Sequence, residues 1–86
     1  MKRISYTIHN KVGLHARPAS LFIKKANEFD SDISIELGEK KIDGKSILSI
    51  MTLGAGQGAV IEITADGKDE DDALRELVTT LDSFED

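Results

Sequence analysis

The chain has 86 residues, 11 Lys+Arg against 16 Asp+Glu, a formal net charge of −5 and no cysteine. That length holds one domain, 1–86, and the missing thiols exclude a disulfide framework, a thiolate metal centre and cysteine chemistry. The acidity argues against a broad nucleic-acid-binding surface, while 40% hydrophobic residues fit a globular chain and not a disordered one. No apolar run approaches the ~20 residues needed to span a bilayer. The opening Met1-Lys2-Arg3 lacks the apolar core of a signal peptide. A cytoplasmic protein without membrane insertion is expected.

The charge is uneven along the chain. Residues 1–65 carry nine basic and seven acidic side chains, whereas residues 66–86 carry two and nine. The first part therefore offers an anion a milder environment than the net charge implies.

Ile4, Tyr6 and Ile8 alternate with Ser5, Thr7 and His9, which predicts a first strand with one buried face. By the same alternation His9 falls on the solvent side and is expected to be exposed and without function. Asn10-Lys11-Val12-Gly13 breaks the pattern. Ala19, Phe22, Ile23, Ala26 and Phe29 then keep helical spacing, with Pro18 in the first turn, where a missing N–H matters least.

Ile33, Ile35 and Leu37 alternate again. Gly38-Glu39 and a short strand over 40–43 complete a hairpin. Ser46 reads as the N-cap of a helix over 47–53, and Gly54, Gly56 and Gly58 mark a loop. A fourth strand spans 59–65, closed by the turn Asp66-Gly67. A last helix opens in the acidic run 69–72, which complements the positive end of a helix dipole. Its apolar positions are Leu74, Leu77, Val78 and Leu81. The acidic run lacks the alternating ligands and central glycine of a calcium loop, and the two histidines have no carboxylate motif beside them, so no metal and no cofactor is expected. The order βαββαβα, with one polar strand face, predicts an α+β open-faced sandwich: an antiparallel sheet with helices on one side.

The chemistry concentrates in Gly13-Leu14-His15-Ala16-Arg17-Pro18-Ala19. His15 falls between a glycine turn and a helix start. The first amides of a helix have no internal partners and attract anions. Ala16 and Arg17 supply two such amides, and Pro18 supplies none. The Arg17 guanidinium matches phosphoryl oxygens. Together these groups suit reversible phosphorylation of histidine. Spacing alone leaves a second reading open, in which His15 is a turn residue and Arg17 a solvated one.

Gly-Leu-His-Ala-Arg-Pro-Ala resembles the active-site signature of the HPr family, the histidine-containing phosphocarriers of the phosphoenolpyruvate:sugar phosphotransferase system. Lys45-Ser46-Ile47 resembles the family's regulatory serine segment. Thr52-Leu53-Gly54, Gln57-Gly58 and Ala65-Asp66-Gly67-Lys68-Asp69-Glu70 also fall where the family has similar residues. The resemblance implies a four-stranded sheet of order 1-4-2-3 with three helices on one face. It implies that His15 accepts a phosphoryl group on Nδ1 from phospho-Enzyme I and passes it to IIA domains of sugar permeases, with Arg17 binding the phosphoryl group. Such a protein is a phosphoryl carrier and not an enzyme, because other proteins charge and discharge its histidine.

Ile47, Leu48, Ile50, Met51 and Leu53 crowd seven residues of helix, too many for one buried face. Ile50 and Leu53 are expected inside, which leaves Ile47, Leu48 and Met51 as a docking patch. By resemblance, Ser46 is a target of HPr kinase/phosphorylase, and its phosphorylated form a corepressor with catabolite control protein A; as spacing reads it, Ser46 is a plain N-cap. The same motif also fits a carrier of a nitrogen-related or dihydroxyacetone branch, or a regulatory module acting through phospho-Ser46. Val12 stands where the family usually has Ser, Thr or Asn, and slower transfer or a less stable phosphohistidine is expected from it. A monomer is expected, since a carrier shows one face to several partners in turn.

Overall fold

The computed structural model describes residues 1–85. Its elements follow the expected order: β1 (Lys2–Thr7), α1 (Ala16–Ala26), β2 (Asp32–Leu37), β3 (Lys40–Asp43), α2 (Ile47–Leu53), β4 (Val60–Asp66) and α3 (Glu70–Asp82). The four strands form one sheet of order β1-β4-β2-β3, and every pairing is antiparallel. The architecture is the open-faced α+β sandwich that the sequence predicts.

Alternation explains which face of the sheet is covered. Ile61, Ile63 and Ala65 of β4 and Ile33 and Ile35 of β2 are buried, together with Phe22 of α1, Ile50 of α2 and Leu77 of α3. Register puts Ile4 opposite Ile63 and Tyr6 opposite Ile61, so the predicted phase of β1 is right. Its burial is weaker than expected. Ile4 remains 37% exposed because β1 is an edge strand with one neighbour. Ile8 is buried, yet it lies past the strand's end, where its amide donates to the Ala59 carbonyl at 2.8 Å.

Helix α1 ends at Ala26, earlier than the apolar spacing suggests. Asn27 closes it, its amide and its Nδ2 both donating to the Ile23 carbonyl, at 2.9 and 3.0 Å. Phe29 still packs against the core, but from the turn beyond the helix. Ser46 caps α2 as predicted, its Oγ accepting from the Ser49 amide at 3.3 Å. Ile50 and Leu53 are the buried positions of that helix. In α3 the buried face is Ala73, Leu74, Leu77 and Leu81, with Val78 at its margin.

Asp69 departs from the helix-start reading. It precedes α3 but makes no side-chain cap bond to it. Its carboxylate instead accepts from the Asp30 amide at 2.8 Å, the Ser31 amide at 2.9 Å and the Ser31 hydroxyl. These donors, the hydroxyl foremost, hold the carboxyl below its usual pKa. A depressed folded-state pKa contributes stability above the unfolded value, about 3.9, and loses it as the pH falls through the folded value. Asp69→Asn is therefore expected to lower the urea midpoint at pH 7, with the deficit narrowing as the pH drops below about 4. Equal deficits at both ends of that titration would count against the assignment.

Candidate phosphoryl-acceptor site

His15 is the N-cap of α1, with φ −132° and ψ 153° and no side-chain cap bond. It is exposed, as are Ala16 and Arg17 beside it. The sequence-predicted group is thus brought together at one helix start, while Pro18 and Ala19 are buried and anchor the first turn. The first helical amides, those of Ala16 and Arg17, have no partner within the helix and remain available to an anion. Among the described residues Arg17 makes no ion pair. It lines a shallow hollow of about 180 Å³ with Pro18, Leu21, Ser83, Phe84 and Glu85.

Backbone geometry, not side-chain bonding, holds the imidazole in place. Asn10 and Gly13 are linked twice: the Gly13 amide donates to the Asn10 carbonyl at 3.2 Å, and Asn10 Nδ2 donates to the Gly13 carbonyl at 3.1 Å. The Leu14 amide donates to the Ala55 carbonyl at 2.9 Å, and the Leu14 side chain is buried. Gly13 has φ +63°, and a Cβ there would run into the Ala55 carbonyl oxygen and Gly56 Cα. Only glycine lets the two loops meet this closely.

Ala16 has φ +48°, and it is the one non-glycine with positive φ among the described residues. Such a conformation costs an L-residue on the order of 1 kcal/mol. No sequence signal marks it, because alanine has no preference for the left-handed region. Relief of that strain gives a test: Ala16→Gly is expected to stabilise the fold by up to about 1 kcal/mol in urea titration, against the usual penalty for glycine in a helix.

Ile47 and Leu48 are 43% and 72% exposed, as the crowding of α2 predicts. Met51 is half-buried and packs against the core, so it offers less surface than expected. Val12 and Leu21, 49% and 39% exposed, are apolar surface that the sequence reading did not assign to docking. Leu21 escaped notice because it lies beside the buried stripe of α1 and not on it. Val12 has no polar atom with which to hold a phosphoryl group.

His9 is exposed, as expected, although the strand itself ends at Thr7. Its Nε2 nevertheless lies 3.0 Å from the Leu81 carbonyl, at the end of α3. Its own carbonyl accepts from Gln57 Nε2 at 3.1 Å.

The family model for the PTS-HPr component phosphorylation site matches residues 2–83. The structure of HPr-C-His from Thermoanaerobacter tengcongensis is 47% identical, with a TM-score of 0.94, over 96% of this chain and 93% of that one. The histidine-containing phosphocarrier protein of Mycoplasma is 42% identical, with a TM-score of 0.89, over 93% and 91%. Crh of Bacillus subtilis, a catabolite-repression protein crystallised as a domain-swapped dimer, is 38% identical, with a TM-score of 0.76, over 95% and 94%. With its helix-start histidine and an HPr match over nearly its full length, this chain belongs to the HPr family of phosphotransferase-system phosphocarriers.

Proposed function

We propose that the protein carries a phosphoryl group on His15 Nδ1, accepting it from phospho-Enzyme I and donating it to IIA domains of sugar permeases. The observation that carries this is the exposed His15 at the start of α1, beside the first amides of the helix and a guanidinium that makes no ion pair among the described residues. In the accepting step the imidazole lone pair bonds to phosphorus while the donor's N–P bond breaks. Arg17 and the amides of Ala16 and Arg17 balance the charge on the phosphoryl oxygens. Their exposure keeps that grip moderate, as a group that must be handed on requires.

The 86 residues act as one cytoplasmic HPr domain and as a monomer, with Ile47, Leu48 and the accessible part of Met51 meeting successive partners. The test is incubation with phosphoenolpyruvate and purified Enzyme I. Acid-labile, base-stable phosphate on the wild-type chain supports the carrier reading, and its absence with the organism's own Enzyme I would overturn it. Competition among isolated IIA domains then separates a sugar branch from a nitrogen-related or dihydroxyacetone one.

A regulatory role for Ser46 has support of its own. The residue directly precedes the exposed Ile47 and Leu48, and Crh, a catabolite-repression protein, shares the fold. A phosphate there adds −1.5 to −2 charges beside an apolar docking patch. The proposed modifier is HPr kinase/phosphorylase, and the proposed reader is catabolite control protein A. Ser46→Asp is expected to slow labelling by Enzyme I severalfold while shifting the melting temperature by only a few degrees. Unchanged labelling kinetics would separate Ser46 from carrier regulation.

A further inference from the structure

We infer that His9 is a positioning residue for phosphotransfer, its ring N–H fixing the loop that carries His15 against the end of α3. The inference rests on the carrier reading. The Leu81 carbonyl can only accept, so the His9 nitrogen 3.0 Å away must donate. Leu81 lies in the last turn of α3, where carbonyls lack helical partners. The Ser83 amide points to this oxygen and the Phe84 amide reaches it at 3.3 Å, and the His9 ring adds a side-chain donor from outside the helix.

The location of His9 gives the bond its consequence. Residues 8–15 have no helix or strand of their own. At one end this segment is held by Ile8, whose amide donates to Ala59 and whose carbonyl accepts from Gly58, both at 2.8 Å. At the other end it is held by Leu14 on Ala55. Between them, His9 is tied twice to separate parts of the fold, by its ring to α3 and by its carbonyl to Gln57. The His15 side chain makes no cap bond, so its aim depends on this backbone. A misplacement of about 1 Å in a reacting group costs on the order of 100-fold in rate, and a loosened loop loses part of that.

A simple structural tie would behave differently, and Tyr6 provides the comparison. Its hydroxyl donates to Asp82 Oδ1 at 2.8 Å, binding β1 to the same end of α3. Tyr6 is locked in register opposite Ile61, so loss of that bond costs stability without freeing the loop.

The experiment measures transfer from phospho-Enzyme I to wild type, His9→Ala, His9→Asn, His9→Gln and Tyr6→Phe, well below each melting temperature. The Gln side chain places an N–H near the position of Nε2, while Asn falls short. We expect kcat to fall about five- to tenfold in His9→Ala and His9→Asn, a share of the misplacement effect. KM should stay within about twofold, because Ile47 and Leu48 are untouched. His9→Gln should recover most of the rate, and Tyr6→Phe should transfer normally at reduced stability. A wild-type rate in His9→Ala, failure of Gln to rescue, or an equal loss in Tyr6→Phe would each overturn the inference. Wild-type protein that takes no label would instead remove the carrier reading and this inference with it.

Discussion

His15→Ala is expected to take no phosphate from phospho-Enzyme I while unfolding within about 0.5 kcal/mol of wild type, as exposed side chains without structural bonds do. The two halves of that result follow from one geometry. His15 is exposed and makes no cap bond, so its removal leaves no cavity and no orphaned partner. In the proposed transfer its imidazole is nevertheless the nucleophile, and no other side chain at this helix start would replace it. Arg17→Ala should show the intermediate pattern. Stability should hold, because the guanidinium has no ion pair to lose among the described residues. Transfer should slow on the order of 100-fold, the usual loss when one charge-stabilising donor is removed. Labelling time courses and urea titrations on the same samples check both. Label surviving in His15→Ala would place the phosphate elsewhere.

Gly13→Ala should behave in the opposite way, damaging the fold first and the chemistry as a result. At φ +63° the new Cβ meets the Ala55 carbonyl, which is backbone and cannot swing aside. The left-handed conformation costs an L-residue about 1 kcal/mol, and forced repacking adds typically 1–3 kcal/mol. A loss of roughly 3 kcal/mol lowers the melting temperature of a domain this size by more than about 10 °C. Thermal unfolding tests this directly, and a shift of only a degree or two would show that the 54–59 loop yields easily. Labelling should fall as well, since the Leu14–Ala55 bond that anchors His15 begins one residue later.

These contrasts also show what a sequence reveals. The bounds of helix α2 were legible to the residue, because Ser46 marks its start and Gly54 its end, and the crowding of five apolar side chains foretold the exposure of Ile47 and Leu48 but not the half-burial of Met51. The placement of His15 and Arg17 at a helix start was legible for a similar reason: glycine turn, histidine, arginine and proline act through neighbours in the chain. The sheet order came from family resemblance, since pairing of Tyr6 with Ile61 leaves no trace in local periodicity. Two features were hidden because their causes lie far away in sequence, and a third because no residue preference announces it. Asp69 reaches across to Asp30 and Ser31, His9 reaches Leu81, and the left-handed turn at Ala16 is imposed on a residue with no liking for it.

The position of β1 at the sheet's edge has a consequence for the order of assembly. The strand's only neighbour is β4, and the loop that follows it is buttressed by residues 54–59. The β2–β3 hairpin closes over a few residues, whereas joining β1 to β4 means closing most of the chain and is the costlier and slower step. While the protein is being synthesised, the acceptor loop emerges early but has nothing to lean on until the fourth strand appears. On the carrier reading, the ability to take phosphate is therefore gained only once β1 has joined β4.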